Sequence, residues 1–371
     1  MKKFLLFLGT VFLAYIAAFY ITGKKNGYDK AFDFEALIQK LDSLSSDNET
    51  PGDSYTVKGI YYLEQEEYDN ALEEFFNALD EDDISENNYY IGHTYLMQEE
   101  YYSALDYLNY AIELDAKNDK AYLDKGITEY NQGYYDTAIN DLFFATELNP
   151  EGAKAYYYLA LCYEKNSKPE VALQSAETAI KYDSLYSEAW FKAGYIAFDL
   201  DSFTQSSNFY KNLLKIEPKH QYGLINLGLT YSYLEKNDSA IFYYDLCIEH
   251  YPDYSLAYNN KGYIYQKQKQ YKKAINLYTK ASQLNDTDTR SIWNRGDCYF
   301  EIGEYNDAIK DFKRVYELDP DSYNALYQIG ESYEKMNLIK DALDYYKQYQ
   351  ALANTNSTYF NEVSDKIKKL N

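Results

Sequence analysis

Histidine, cysteine and carboxylate side chains are the residues most able to support catalysis or metal binding, and their spacing supports neither. His93, His220 and His250 are far apart, with no cysteine or carboxylate at ligand spacing, so sequence neighbours cannot assemble a zinc site. Neither a phosphate-binding glycine loop nor a Gly-x-Ser-x-Gly or His-Glu-x-x-His pattern occurs. Acidic pairs are numerous, as expected of solvated faces in an acidic chain. We therefore expect no catalytic residues, no metal and no cofactor.

Carboxamide side chains offer a different chemistry, which is hydrogen bonding at regular intervals. They recur at equal steps along the chain as Asn226, Asn260, Asn294 and Gln328. A primary amide offers two donors and an acceptor, so such a row can pair with the backbone of an extended peptide without reading its sequence. The alternative is that these amides only bond to an adjacent helix. Either role requires structural elements that repeat with the same period.

A repeating period runs along most of the chain. A glycine slot, with steps of about 34 residues throughout, is filled by Gly59, Gly92, Gly126, Ala160, Gly194, Gly228, Gly262, Gly296 and Gly330. An alanine slot follows twelve residues behind, from Ala71 to Ala342, and only Ser206 departs from alanine. A fixed period of this length indicates a repeat array, in which each unit buries its apolar face by stacking on its neighbours.

One copy, residues 118–151, shows that the repeating unit is helix, turn and helix. Apolar residues fall at helical spacing around Gly126, and Asn131-Gln132-Gly133 predicts a turn. A second apolar pattern reaches Leu148, and Pro150 ends it because proline clashes with a continued helix. The small residues in the glycine and alanine slots indicate close helix crossings, where a bulkier side chain would push the axes apart.

These motifs resemble the tetratricopeptide repeat family over about residues 52–355. The family's series of aromatic, glycine, alanine and proline positions reads in the third copy as Tyr122, Gly126, Tyr130, Ala138, Leu142, Ala145 and Pro150, and the family's tryptophan occupies its slot as Trp190. The resemblance implies an all-α fold, a right-handed α-solenoid of about nine helix-turn-helix repeats. Residues 356–371 are then expected to form a C-terminal capping helix.

The resemblance also implies where a partner would bind. In such arrays the first helix of each pair lines a concave groove, with the residues three before, two before and one after the glycine slot pointing inward. The carboxamides lie two before it, and the other groove candidates are Asn259, Tyr157, Tyr158, Phe191, Tyr195, Tyr263, Trp293 and Tyr327. Such aromatics dominate binding hot spots, although packing between neighbouring first helices is the alternative. No lysine lies three before the glycine slot, which disfavours the chaperone carboxylate tails that some members bind.

The N-terminal residues predict a membrane connection. Phe4 to Ile21 is an uncharged run of 18 residues between lysine pairs, and as a helix it would span about 27 Å, close to the roughly 30 Å core of a bilayer. We expect residues 1–23 to be a transmembrane anchor with the repeats outside the cytoplasm; the alternative is a cleaved signal peptide and a secreted or periplasmic protein. Residues 24–51 predict an amphipathic helix or half-repeat, then a flexible joint over 45–53.

Composition narrows the partners. The net charge of −23 repels phosphate backbones, so we expect no nucleic acid. The 33 lysines against three arginines suggest an AT-rich genome, and hence a bacterium. The three cysteines fall in different repeats, too far apart for a disulfide. We expect a membrane-tethered scaffold that binds an extended peptide or protein partner in its groove; the alternative is a structural component of an envelope or secretion assembly that uses its outer acidic face.

Overall fold

The chain folds into consecutive α-helices. The computed structural model describes residues 51–354 and 357–370, and no strand occurs within these ranges. Their helices are α1 (Pro51–Glu64), α2 (Tyr68–Glu81), α3 (Ser85–Met97), α4 (Tyr101–Leu114), α5 (Asp119–Asn131), α6 (Tyr135–Leu148), α7 (Ala153–Lys165), α8 (Pro169–Tyr182), α9 (Ser187–Asp199), α10 (Phe203–Ile216), α11 (Gln221–Tyr233), α12 (Asn237–His250), α13 (Ser255–Lys267), α14 (Tyr271–Leu284), α15 (Thr289–Glu301), α16 (Tyr305–Leu318), α17 (Asn324–Lys335), α18 (Ile339–Leu352) and α19 (Phe360–Leu370).

Odd-numbered helices are the first helices of the repeats and even-numbered helices are the second. First helices pack against the second helices of their own repeats, and second helices pack against the next first helix. In the fifth repeat, Ser206 Oγ donates a hydrogen bond to the backbone oxygen of Gly194 at 2.8 Å. This order of contacts confirms the predicted all-α repeat array. In the third repeat, α5 ends at Asn131 and α6 runs from Tyr135 to Leu148, as the spacing predicts.

The glycine slot marks a close approach between the two helices of a repeat. A Cβ atom on Gly126 would lie 2.6 Å from Leu142 Cγ, and one on Gly228 would lie 2.5 Å from Tyr244 Cε1. In the fourth repeat the slot holds Ala160, and the facing slot, sixteen residues on, holds Ala176; both are fully buried. In this repeat alanine replaces the glycine, and alanine also replaces the larger side chain that faces it in the other repeats. The two helices therefore approach closely at this slot, as predicted from its small residues.

The turn after each first helix uses the same backbone conformation in every repeat. Seven residues after the glycine slot, φ lies between 54° and 84° in Glu66, Glu99, Gly133, Ser167, Asp201, Glu235, Lys269, Gly303 and Asn337. This left-handed conformation ends a helix and is usually supplied by glycine. Only two of these nine residues are glycine, so the turn is set largely by the surrounding repeat.

The array divides into two compact units. The N-terminal unit ends at Ala189 and the C-terminal unit begins at Trp190, a division that falls within α9. The N-terminal unit contains the first four repeats, whose cores include Phe75, Leu108 and Leu142. The C-terminal unit contains the last repeats and α19.

The first described helix begins earlier than the sequence predicts. Residues 51–53, predicted as the end of a flexible joint, belong to α1. Proline is favoured at the start of a helix because its missing N–H would be unsatisfied there in any case. The predictions for residues 1–50, including the Phe4–Ile21 segment, lie outside the described residues. Within the described ranges, no helix combines the length and hydropathy that spanning a membrane requires.

The terminal helix α19 occupies the position of another first helix. Ser364 follows Gly330 by one repeat length and therefore falls in the next glycine slot. Val363 is fully buried, and Ile367 and Leu370 pack against the core of the ninth repeat. Thus α19 covers the apolar face of α17 and α18, as a capping helix does.

Candidate peptide-binding groove

The predicted inward slots three and two before the glycine meet each other between adjacent first helices. The amide oxygen of Asn259, in α13, accepts hydrogen bonds from Ser291 Oγ and Asn294 Nδ2 in α15, each at 3.3 Å. Likewise Tyr327 in α17 donates to Glu362 Oε1 in α19 at 2.8 Å. Part of the predicted set therefore holds one first helix to the next.

The carboxamides differ in how much of their hydrogen-bonding capacity is engaged. Asn226 donates to the hydroxyl of Tyr210 at 3.3 Å, and Asn294 donates to Asn259. The amide oxygen of Asn260 accepts a hydrogen bond from Asn259. The amide N–H groups of Asn260 have no hydrogen-bond partner within the described part of the chain. Gln328 is half-buried, and its side chain likewise has no hydrogen-bond partner there. Asn260 and Gln328 are the members best able to bind a peptide backbone.

The predicted aromatics of the C-terminal unit also differ in accessibility. Tyr263 is 47% exposed and Tyr195 is 39% exposed. Trp293 packs edge-on against Phe312 with ring centroids 5.3 Å apart. Tyr327 is buried and stacks on Tyr359 at 4.0 Å. Trp293 and Tyr327 thus contribute mainly to packing, whereas Tyr263 and Tyr195 present ring surface to solvent.

The remaining predicted aromatics are half-buried within aromatic clusters. In the N-terminal unit Tyr157 contacts Tyr186 with ring centroids 5.1 Å apart, and Tyr158 contacts Tyr130 at 5.7 Å. In the C-terminal unit Phe191 lies against His220, with centroids 5.3 Å apart. These rings stabilise junctions between successive first helices and keep part of their surface accessible.

A groove of about 560 Å³ runs along the first helices of the last three repeats, within the C-terminal unit. It is lined by Tyr263, Gln266, Lys267, Lys269, Tyr271, Asp297, Phe300, Glu301, Tyr327, Gln328, Glu331 and Tyr359. Three of these, Tyr263, Tyr327 and Gln328, belong to the predicted set. The structure brings them together from α13 and α17, while the other predicted residues do not line this groove.

Sequence reasoning missed nine of the twelve lining residues. Asp297 and Glu331 lie one after the glycine slot, a position predicted to point inward, but the prediction included only its aromatic members. Gln266, Phe300 and Glu301 lie four or five after the glycine slot. Residues four apart on a helix share a face, so the slot of Asp297 could have led to Glu301.

Asp297 is the most unusual charged group in the groove. Burial raises its pKa to about 6, against the opposing effect of a hydrogen bond from the Trp293 side chain, and nearby Glu301 adds to the rise. Asp297 forms no ion pair within the described ranges. By contrast, Glu331 pairs with Lys366 Nζ at 2.6 Å. A half-buried carboxylate without a paired cation favours a ligand that supplies one.

The N-terminal unit has a different polar cluster on its first helices. Asp124, only 3% exposed, lies 2.6 Å from His93 Nδ1 and accepts a hydrogen bond from Tyr89. Asp124 occupies the slot that holds Asn226, Asn260 and Asn294 in the C-terminal unit. Both partners of Asp124 lie on the preceding first helix, α3. The cluster therefore connects α3 to α5, and its polar groups are used within the protein.

Comparisons with known proteins agree with the repeats just described. A family model for the tetratricopeptide repeat matches residues 123–174 and 163–206, and one for subunit 3 of the anaphase-promoting complex, or cyclosome, matches residues 234–310 and 267–349. The chain belongs to the tetratricopeptide repeat (TPR) family. TPR proteins act as scaffolds for protein interactions, and this coarse role applies to the chain.

Individual relatives are distant. The chain is 26% identical over 140 residues to anaphase-promoting complex subunit 3 of Schizosaccharomyces pombe, covering 38% of this chain and 21% of that protein. It is 26% identical over 220 residues to human tetratricopeptide repeat protein 6, covering 57% and 40%. The C-terminal part of a TPR protein from Cytophaga hutchinsonii superimposes with a TM-score of 0.57 at 15% identity, covering 64% of this chain and 98% of that one. The chain thus spans between a fifth and two fifths of these curated relatives, and the structural likeness concerns the fold.

Proposed function

We propose that this TPR protein is a scaffold that binds an extended, cationic segment of a partner protein in the groove along α13, α15 and α17. The observation that carries the proposal is Asp297, a half-buried carboxylate in the groove with no cation paired to it among the described residues. A lysine or arginine side chain of the partner would pair with it. A carboxylate-terminated tail is disfavoured because the groove lining contains three carboxylates, Asp297, Glu301 and Glu331, against two lysines, Lys267 and Lys269.

Hydrogen bonds from the carboxamides alone contribute too little free energy for micromolar binding, so charged and apolar contacts must contribute as well. Gln328 lines the groove, and Asn260 lies about one helical turn before the lining residue Tyr263 on α13. Neutral hydrogen bonds from these two amides to a peptide backbone contribute about 0.5–1.5 kcal/mol each, and a bond to a charged group about 1.5–3 kcal/mol. Micromolar affinity requires about 8 kcal/mol. Burial of apolar surface on Tyr263 and Phe300 must therefore supply much of the affinity, with Asp297 selecting the charge.

Peptide binding to the full chain tests this proposal. Fluorescent, proline-containing peptides of about 12 residues, identical except for a central Arg, Ala or Glu, should bind with affinity in that order. Asp297→Asn should weaken the Arg peptide about tenfold and leave the Ala peptide unchanged. Phe242→Ala, at an exposed position on α12, is the matched control. Equal affinity for the Arg and Glu peptides would exclude the proposed charge selection.

The binding should also depend on pH. The pKa of Asp297 is raised to about 6, so its charge is lost as pH falls through that value. Arg-peptide affinity should drop between pH 7.5 and pH 5 in the natural chain and stay constant in Asp297→Asn. A drop of equal size in both proteins would place the titrating group elsewhere.

The carboxamide row can be tested separately. Replacing Asn226, Asn260 and Asn294 together with alanine should weaken peptide capture while helicity is kept. Asn260→Ala alone is the sharper variant, because Asn226 and Asn294 also hold Tyr210 and Asn259. If capture by Asn260→Ala and by the triple variant equals that of the natural chain, the amide row has no part in binding.

Membrane tethering is a further part of the proposal and rests on the Phe4–Ile21 sequence. We place the repeats outside the cytoplasm, anchored or released after signal cleavage. The three natural cysteines are buried, and burial raises the pKa of the Cys162 thiol to about 12, so an added cysteine is required. Asn109→Cys, at an exposed site on α4, should react with an impermeant thiol reagent in intact cells; reaction only after lysis would contradict this orientation.

The second candidate function is a structural role in an envelope or secretion assembly through the outer acidic face. The observation that favours it is the charge of α2, α4 and α6, which carry ten carboxylates and no lysine or arginine. Charge reversal on these helices should release an assembly partner without affecting peptide binding in the groove. Loss of groove binding in those variants would instead argue for a single shared surface.

A further inference from the structure

The two units differ strongly in charge. Residues 51–189 contain eight lysines and 29 acidic residues, a net charge of −21, whereas residues 190–371 contain 22 basic and 24 acidic residues, a net charge of −2. The acidity of the second helices continues into their last turns, where Glu81, Glu113 and Glu147 lie without any basic residue. The C-terminal end of a helix carries the negative end of the helix dipole and normally favours cations. The chain supplies no basic residue in the last turns of these three helices to balance that negative charge.

An apolar patch lies on the same second helices. Tyr110 and Leu114 on α4 are 41% and 43% exposed, and Phe144 and Leu148 on α6 are 48% and 38% exposed. On each helix the two residues are four apart and share one face. The two pairs occupy the same slots of consecutive repeats, one repeat length apart. Helix α5 packs against both α4 and α6, and its half-buried Tyr122 lies against Phe144 with ring centroids 5.5 Å apart.

The corresponding slot is mostly polar in the C-terminal unit. Eighteen residues after the glycine slot, where the N-terminal unit has Tyr110 and Phe144, that unit has Asn212, half-buried Leu246, Lys280, Arg314 and Gln348. Phe143, beside Phe144, is 52% exposed and enlarges the apolar surface. The hydroxyl of Tyr110 donates to Asp83 Oδ2 at 2.9 Å, which places a carboxylate at the border of the patch.

We infer that the patch formed by Tyr110, Leu114, Phe144 and Leu148 docks a basic amphipathic helix of a partner protein. The apolar face of such a helix would cover the four side chains, and its lysines or arginines would meet the surrounding carboxylates. Charge complementarity selects this occupant, since an acidic or neutral helix would gain nothing from a unit of net charge −21. The inference deepens the second candidate function and is independent of the groove.

The test uses the full chain and a labelled helical peptide of about 18 residues made of leucine and lysine, with leucine at helical spacing. Phe144→Ala should weaken its binding about tenfold at a fixed 0.15 M salt, and Tyr110→Lys with Phe144→Lys should abolish it. Phe242→Ala, 59% exposed on α12, should not change it. All replaced side chains are exposed, and unchanged circular dichroism confirms folding.

Three outcomes would overturn the inference. A scrambled peptide of the same composition that binds equally well would show general attraction to the acidic unit. Equal effects of Phe144→Ala and Phe242→Ala would remove the patch from the binding site. If sedimentation shows that the chain alone forms a dimer, which Phe144→Lys dissociates, the occupant is a second copy. Because the groove peptides contain proline and cannot form this helix, failure here leaves the groove proposal intact.

Discussion

The third and eighth repeats bury a carboxylate in the same slot but neutralise it differently. In the C-terminal unit, Asp311 receives two hydrogen bonds from the Arg295 guanidinium, at 2.7 and 2.8 Å. In the N-terminal unit, Asp141 lies 3.3 Å from Lys125 Nζ and also beside Glu129. The eighth repeat has Tyr299 where the third has Glu129. At this contact the third repeat therefore has one more buried acidic residue than the eighth, and its buried aspartate makes a single, longer contact with its lysine.

The two units share their packing contacts and differ in their charged residues. Both use the same glycine contact and the same left-handed turn. Charge differs at the buried slot, on the second helices and on the inner face. The packing slots thus define the repeat, whereas the charged slots distinguish the two units and give each its own binding properties.

Removal of Arg295 should have the largest effect on the comparison. Arg295→Met leaves Asp311 buried without a partner and also removes donors to Thr279 and Ser282 on α14. Loss of one member of a buried ion pair costs about 3–5 kcal/mol. Hydrogen exchange of the α15 and α16 amides measures this loss of local unfolding free energy in Arg295→Met. Arg290→Met, at a side chain 71% exposed, should cost less than about 1 kcal/mol. Lys125→Met should cost less than Arg295→Met, because Lys125 Nζ makes one contact with Asp141 at 3.3 Å whereas Arg295 donates two hydrogen bonds to Asp311 at 2.7 and 2.8 Å.

Glu129 should make the third repeat sensitive to pH. Burial raises its pKa to about 7, with Asp141 adding to the rise. A raised pKa means that the folded state favours the protonated form, so stability is full below about pH 4.5 and decreases as pH rises through 7. Glu129→Gln should therefore stabilise α5 and α6 by about 1–3 kcal/mol at pH 8.5 and have little effect at pH 4.5. Hydrogen exchange at both pH values measures this; an equal effect at both would contradict it.

The glycine contact should be equally intolerant in both units. Gly126→Ala would place a Cβ atom against Leu142, and Gly228→Ala would place one against Tyr244. Overpacking costs about 1–3 kcal/mol, which exceeds the gain in helix propensity of about 1 kcal/mol. Thermal unfolding and local hydrogen exchange should show destabilisation in each case, with exposed Asn109→Ala as control. A stabilised variant would show that the close approach does not restrict this slot.

The left-handed turns should give the smallest effect, again in both units. Glu99 and Glu235 have φ of 61° and 58°, where side chains with a Cβ are strained. Replacing either with glycine should stabilise its repeat by about 0.5–1 kcal/mol, because relief of strain exceeds the flexibility that glycine adds to the unfolded chain. Gly133→Ala, at φ 84°, should do the reverse. Opposite signs for Glu99 and Glu235 would show that the turns differ between the units.

The sequence was sufficient to predict the fold, because a period of about 34 residues constrains every repeat at once. It could not show the left-handed turns, since seven of their nine residues carry side chains that do not require that conformation. The groove was predicted only in part. Whether an inward slot is open depends on the neighbouring first helix: Tyr327 is covered by Tyr359, whereas Tyr263 is exposed. Such contacts depend on the fit between repeats, which residue type alone does not reveal.

Hydrogen exchange of the full chain with and without the proline-containing Arg peptide tests the central claim, that the two units present different binding surfaces on one packing scheme. The account predicts slower exchange in α13, α15 and α17, with α4 and α6 unchanged, and weaker protection in Asp297→Asn at a peptide concentration near the dissociation constant of the natural chain. Protection of α4 and α6 by this peptide, or unchanged exchange in α13, α15 and α17 at saturating peptide, would contradict it.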